Sequence, residues 1–504
     1  MKTNEVKWGA VLSYVLIFLN ATYGLFLTPY ILGQIGEASY GVYKTVSAFT
    51  SSLMVLDLGL GGTMMRYIAK YRADRQENKI PNFISMGLIQ TGVICTVIGV
   101  VTSVLYLFLD DIYSNGLTTT EILEAKRLYL FLAIGILAHV FENLFNGIIC
   151  GFNCFTFANG IKVSRLLVRI AAVVVFLGIF KDSLTLVVVD LVITILAVLA
   201  EAEFMLLKLR IKAEFTHWDK TVFSESFKYT ILMFLTSIVA QVNTNFSNVV
   251  IGAVLNSTAV TVYSMAVLIF GTYEQMSTAI SGVMLPTITN SLKNDDEHYS
   301  NTLKIVVEMG RIQFILLGAV FVGFITLGKP FINMWLGADY DDVYYLVLIL
   351  LGPALLELCI NVCLSILRAK NMLGFRTAVI IVSTVLNLVI TIVGMPCIGF
   401  YSAAIGTACS FLFGSVITMG IYYYQSLRIN ILKLYRGIFN RIWICLVLSG
   451  IVCFGVSMIF DTPVTKFILG FCAFCITYAF TLLVFGLNEK EKTIILSKIR
   501  RKND

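Results

Sequence analysis

The sequence predicts an all-α polytopic membrane protein with about fourteen transmembrane helices. Three observations carry that prediction. Apolar stretches of spanning length, roughly 20 residues each, fill the chain. Hydrophobic residues make up 58% of the 504 residues and charged residues 13%, whereas soluble domains average about 45–50% and 25%. The loops between the stretches also alternate in charge. The N-terminus, every second loop and the C-terminus hold 31 of the 37 Lys and Arg. The other side holds Lys44, Lys126, Arg127, Lys181, Lys329 and Lys466, beside ten acids. By the positive-inside rule both termini are cytoplasmic, and the number of crossings is even.

The spans are expected near 9–32, 42–65, 83–109, 127–149, 160–180, 184–206, 227–252, 259–283, 311–333, 343–366, 376–395, 401–424, 440–460 and 464–486. Runs this long and apolar must be helices, because lipid offers backbone groups no partners. The first run is too long for the core of a signal peptide, and no small-residue cleavage site follows, so it is expected to remain as a span. The polar loops near 207–226 and 288–304 are too short to bury a core. The acidic loop at 110–126 has room for a short amphipathic turn. The eleven cysteines lie almost entirely within apolar spans and read as small buried hydrophobes, Cys472 and Cys475 included.

The two halves look related. Gly33 and Tyr43 bracket the first outer loop, and Gly252 and Tyr263 bracket the fourth. Asn153 precedes span five as Asn371 precedes span eleven. These near-constant offsets suggest a duplicated six-helix unit with a pseudo-twofold axis along the membrane normal. The expected division is residues 1–212 and 213–430 as six-helix lobes. Residues 431–504 add two helices and a basic tail, whose charges suit anionic lipid headgroups.

Ionisable groups within spans are costly and persist where a cavity or partner receives them. Span four carries His139, Glu142, Asn143 and Asn146 at helical spacing. Span five carries Lys162, Arg165 and Arg169. Span seven has Gln241, Asn245 and Asn248 on one face. Span ten has Glu357, Asn361 and Arg368. Glu274, Asp190 and Asn387 stand singly, and span two holds Asp57 with Arg66 at its inner end. Each has a bland reading too. Lys162, Arg66 and Arg368 can snorkel to the interface, the His139 and Glu142 pair can bridge helices, and the amides can join helices. One reading unites them. Cations between lobes suit an anionic headgroup, while amides and carboxylates suit sugar hydroxyls. The cavity candidates are Arg66, Arg165, Arg169, Asn245, Asn248, Glu274, Glu357, Asn361, Arg368 and Asn387. The candidates for coupling to a proton are Asp57, His139 and Glu142.

Enzyme signatures are missing from the sequence. It has no phosphate-binding loop lysine, so ATP is not the direct energy source. His139, His217 and His298 are too scattered for a metal motif, and no catalytic residue or cofactor is expected. The formal charge of +7 is explained by the inner loops and does not indicate nucleic acid.

Local motifs add a resemblance. These are Thr28 to Tyr43 (TPYILGQIGEASYGVY), Leu56 to Gly62 (LDLGLGG), and the basic run Arg66, Lys70, Arg72. Further along stand Ile251 and Gly252 leading to Val262 and Tyr263, Leu285 with Pro286, Asn387, and Gly399 to Ala408 (GFYSAAIGTA). In order and spacing the chain resembles the oligosaccharide flippase family, including O-antigen flippases, of the multidrug/oligosaccharidyl-lipid/polysaccharide exporter superfamily. The resemblance covers nearly the whole chain. It implies two six-helix lobes around a cationic cavity that opens alternately to each side of a bacterial cytoplasmic membrane. It also implies an undecaprenyl-diphosphate-linked oligosaccharide as cargo, with glycosyltransferases and a polysaccharide polymerase as partners. Where that family often carries an Asp before the Ile-Gly of span seven, this chain has Ser247 and Asn248. Fourteen spans also match lipid II flippases. The alternative is a cation-coupled multidrug exporter of the same superfamily. Those exporters typically carry an acid in the first span, and residues 9–32 contain none. A membrane-embedded synthase or polymerase would need catalytic loops that the sequence lacks.

Overall fold

The computed structural model describes residues 2–54, 59–211, 214, 245–293, 300–369, 372, 374–488 and 491–492. Among them no strand occurs, and eleven helices are long and apolar enough to cross a membrane. The first unit of the fold is built from α1 (Lys2–Leu53), α2 (Leu60–Ala73), α3 (Ile80–Leu107), α4 (Leu109–Tyr113), α5 (Thr119–Gly151), α6 (Phe155–Phe180), α7 (Ser183–Glu203) and α8 (Asn245–Val254). After these come α9 (Ser257–Lys293), α10 (Ser300–Trp335), α11 (Asp341–Ile360), α12 (Cys363–Ala369), α13 (Gly374–Ile398) and α14 (Tyr401–Leu427). The chain closes with α15 (Ile431–Phe439), α16 (Ile442–Ile459) and α17 (Pro463–Thr481).

The expected spans one and two meet within α1. Its apolar part, Val11–Leu53, is 43 residues long. At about 1.5 Å per residue that is roughly 65 Å, twice the ~30 Å hydrocarbon core. The break falls at Gly36, with φ 79° and ψ 169°, a conformation open almost solely to glycine. The loop expected over 33–43 is therefore helical on both sides of one residue. Most of the expected span seven lies outside the described residues, and α8 is its end. The 110–126 loop does carry a short amphipathic turn, α4, with Leu109 and Tyr113 buried and Asp110 and Asp111 in its first turn. Thr118 then starts α5 with a capping box, its backbone N–H donating to Glu121 Oε2 at 2.8 Å.

The chain divides into two compact units. The first is Met1–Ser264 with Met395–Phe400, and the second is Met265–Gly394 with Tyr401–Asp504. In the first unit α5 is central, packed on α1, α2, α3 and α7. One core cluster joins Leu60, Met64 and Ile68 of α2 to Phe83 and Ile84 of α3 and Leu144 of α5. A second joins Val42 and Val46 of α1 to Leu128 and Tyr129 of α5 and Val187 of α7. Helices α2 and α5 touch backbone to backbone. A Cβ on Gly61 would meet the Asn143 carbonyl, and one on Gly147 would meet Gly61 itself. In the second unit α10 carries α11, α15, α16 and α17. Four cysteines (Cys359, Cys363, Cys445 and Cys453) are buried as expected, but Cys397, Cys472 and Cys475 are exposed on apolar helix surfaces.

Candidate functional site

The stripes on spans four and five come together in the first unit, and α7 supplies their partners. Lys162, Arg165 and Arg169 climb α6 at i, i+3 and i+7, so they share one face. Each forms one rung of a ladder. At the rung nearest the start of α6, Lys162 Nζ donates to Asn146 Oδ1 at 3.1 Å, and Asn146 Nδ2 donates to Glu201 Oε1 at 3.2 Å. Glu201 is fully buried, and its Oε2 has no partner among the described residues.

The middle rung is the densest. Arg165 Nη1 lies 2.6 and 2.7 Å from the two Glu142 oxygens. Its Nη2 donates to Thr194 Oγ1 at 2.9 Å and lies 3.2 Å from His139 Nε2. His139 Nδ1 lies 2.8 Å from Glu142 Oε2. One acceptor and one donor face the ring here. Nδ1 must donate to a carboxylate, and Nε2 must accept from a guanidinium that has no acceptor. The tautomer with its hydrogen on Nδ1 suits both contacts. Protonating Nε2 would set a donor against a donor.

The outer rung pairs Arg169 Nη2 with Asp190 Oδ2 at 2.6 Å. The guanidinium also stacks 5.1 Å from the Tyr23 ring centre. Lys44 sits nearby on α1, with Nζ 5.3 and 5.8 Å from the Tyr40 and Tyr43 ring centres.

A cavity of about 250 Å³ opens along the middle and outer rungs. Its wall includes Tyr43, Ser47 and Thr50 of α1, His139 of α5, Arg165 and Arg169 of α6, and Asp190 of α7. Two atoms here are buried without a partner among the described residues, Arg169 Nε and Ser47 Oγ. Such atoms are uncommon in folded interiors and mark places where a ligand or water can bond.

The other expected residues go elsewhere. Arg66 is exposed on α2, off the ladder. Asn248, on α8, is buried and accepts from Ser264 Oγ at 3.3 Å, joining α8 to α9, while Asn245 is half-buried one turn earlier. Asn387 lies in the second unit. It is buried between α13 and α14, against Gly406, with Nδ2 donating to Thr407 Oγ1 at 3.4 Å. It acts as an interhelical joint because only glycine leaves room for it. Glu274 and Glu357 come within electrostatic range of each other in the second unit, and Arg376 reaches both Glu357 and Tyr423. Asn361 ends α11, its carbonyl accepting from Leu364 N–H at 3.0 Å. Asp57, Gln241 and the side chain of Arg368 lie outside the described residues. Sequence reasoning missed Glu201, Thr194 and Arg376. Asp190, Thr194 and Glu201 share one face of α7 at i, i+4 and i+11, a stripe that could have revealed the first two. No group of His, Cys, Asp and Glu suited to a metal occurs among the described residues.

Residues 8–292 match the polysaccharide biosynthesis protein family. A stretch of 169 residues is 23% identical to the probable low-salt glycan biosynthesis flippase Agl15 of Haloferax volcanii. It spans 33% of this chain and only 35% of that relative. Among solved structures, the lipid II flippase MurJ in its inward closed conformation superimposes with a TM-score of 0.73. That match is at 15% identity and covers 94% of this chain and 98% of that one. An inward-facing multidrug resistance transporter of the MATE family gives a TM-score of 0.61 at 16% identity, over 83% and 99%. A transporter of the MOP superfamily from Pyrococcus furiosus gives 0.54 at 14% identity, over 85% and 96%. The fold is that of these transporters.

Proposed function

The chain belongs to the polysaccharide biosynthesis protein family, and from that premise we propose that it is a lipid-linked oligosaccharide flippase. Its cargo is an undecaprenyl-diphosphate-linked oligosaccharide repeat unit. It carries this across a bacterial cytoplasmic membrane, with both termini inside, for O-antigen or capsule assembly. The moving bodies are the lobes 1–212 and 213–430, working by alternating access, with 431–504 as an accessory. Glycosyltransferases would supply the cargo and a polymerase would consume it. The chain itself performs no bond chemistry.

One observation carries the reading. The cavity wall presents two guanidinium groups, Arg165 paired with Glu142 and Arg169 with Asp190, beside the hydroxyls of Ser47 and Thr50 and the partnerless Arg169 Nε among the described residues. Guanidinium N–H groups at low dielectric, Arg169 Nε among them, suit a diphosphate through charge-assisted hydrogen bonds. The hydroxyls suit sugars. A proton on His139 would loosen Arg165 from its rung, which makes the His139 and Glu142 pair the favoured place for coupling.

The test is a charge removal at the outer rung. Cells lacking this chain are complemented with wild type, Arg169→Ala or Arg169→Lys. Surface polysaccharide should fall at least tenfold in Arg169→Ala at unchanged protein level, with partial recovery in Arg169→Lys. Wild-type polysaccharide in Arg169→Ala would overturn the assignment.

A further inference from the structure

We propose that the first unit holds a second site, outside the ladder, for one phospholipid whose headgroup carries a phosphate and a primary ammonium. A groove of about 650 Å³ runs between α6 and α7. Its floor is buried, with Val189 and Ile193 each 8% exposed, and its rims are Phe176, Phe180, Val192 and Leu196. From Leu184 to Leu196 it follows α7 for about twelve residues, roughly 18 Å at ~1.5 Å each. That is close to the depth of a single leaflet in a core of about 30 Å. The groove therefore fits a chain entering from one face and stopping near the midplane.

Its end at Asp182 adds polar groups to this apolar groove. There it adjoins a recess of about 240 Å³ that shares Asp182 and Leu184 and is lined by Glu124, Arg127 and Ser183. Arg127 is exposed and forms no ion pair among the described residues. Glu124 accepts from Ser183 Oγ and from Ser39 Oγ, the latter at 3.2 Å, and both bonds are to neutral hydroxyls. Asp182 caps α7, accepting from Leu184 N–H at 3.3 Å. The recess thus offers one cation and two carboxylates without cationic partners. A purely anionic headgroup would bind Arg127 but be repelled by the acids. A zwitterion satisfies both, its phosphate on Arg127 and its ammonium on Asp182 and Glu124. A primary ammonium has three N–H donors for those oxygens, whereas a quaternary one has none. That favours ethanolamine over choline.

The proposal uses the orientation adopted above, which puts this end at the outer face, but its test does not depend on transport. The full chain is purified and placed in nanodiscs made from equal parts of phosphatidylethanolamine, phosphatidylcholine and phosphatidylglycerol with identical acyl chains. Retained lipid is counted by native mass spectrometry. Phosphatidylethanolamine should be enriched at least fivefold over the other two. Arg127→Ala and Asp182→Asn should each abolish the enrichment, and asparagine keeps the helix cap, so the fold survives. Val192→Trp, which fills the groove, should lower retention of all three lipids. Equal retention by wild type, enrichment of phosphatidylglycerol, or a preference that survives both headgroup variants would overturn the site. The proposed cargo would be untouched by that result, just as an inactive Arg169→Ala leaves this lipid count unchanged.

Discussion

Glu142 shows how much a single carboxylate can organise. It is 6% exposed, meets Arg165 with both oxygens and accepts from His139. Removing its charge strands a guanidinium in the membrane interior, a loss of about 3–5 kcal/mol for a broken buried pair. Glu142→Gln should therefore lower the melting temperature in detergent markedly. Arg165→Gln added to it should recover most of the loss, because the two changes share one interaction. Additive losses in the double variant would show that the pair does not act as a unit. The spacing of His139, Glu142, Arg165 and Arg169 made this ladder legible in the sequence. Its pairings were not legible, because periodicity gives a face and not the neighbour across it. Glu201 escaped notice for a related reason. Near the inner end of a span a charge can equally snorkel, and only its complete burial decides the matter.

At the scale of elements, the legible signal was apolar length, and the missed one was continuity through polar residues. Gln34, Glu37 and Ser39 read as a loop, yet α1 runs through them, broken only at Gly36. Tertiary contacts make this possible. Thr261 Oγ1 donates to the Glu37 carbonyl at 2.8 Å, and Ser39 donates to Glu124. Gly36 and Gly33 make a matched pair for testing the break. A Cβ at either position meets nothing within 4 Å, but only Gly36 has a positive φ. Gly36→Ala should destabilise by roughly 1–3 kcal/mol through backbone strain alone. Gly33→Ala should be neutral or stabilise by up to about 1 kcal/mol, since alanine favours helix. Thermal melts of the two variants decide it. Equal effects would mean that Gly36 imposes no backbone constraint.

For the whole molecule, the question is what fastens the two final helices, which the sequence marked only as an addition after the repeats. Helices α16 and α17 pack on each other and on α10. Tyr478 OH donates to the Ile315 carbonyl at 2.9 Å, and Arg311 closes one end of this bundle. In the sequence Arg311 was one more basic residue flanking a span. In the fold it is 2% exposed and donates to the carbonyls of Gly437, Asn440 and Gly486 at 3.3, 3.1 and 2.9 Å. Glu491 neutralises it, accepting from Nε at 2.8 Å and from Nη2 at 3.1 Å. One guanidinium thus joins α10 to the end of α15, the start of α16 and the segment after α17. The carbonyls satisfy its donors, but among the described residues only Glu491 balances its charge. Glu491→Gln should therefore loosen this corner while sparing the first unit. Hydrogen exchange should quicken at least tenfold in α15, α16 and α17, a change of about 1.4 kcal/mol in local opening, and stay at the wild-type rate in α5, α6 and α7. A uniform rise across both units would mean that Arg311 supports the molecule globally. Unchanged exchange everywhere would mean that the three carbonyls hold the guanidinium without its counter-ion.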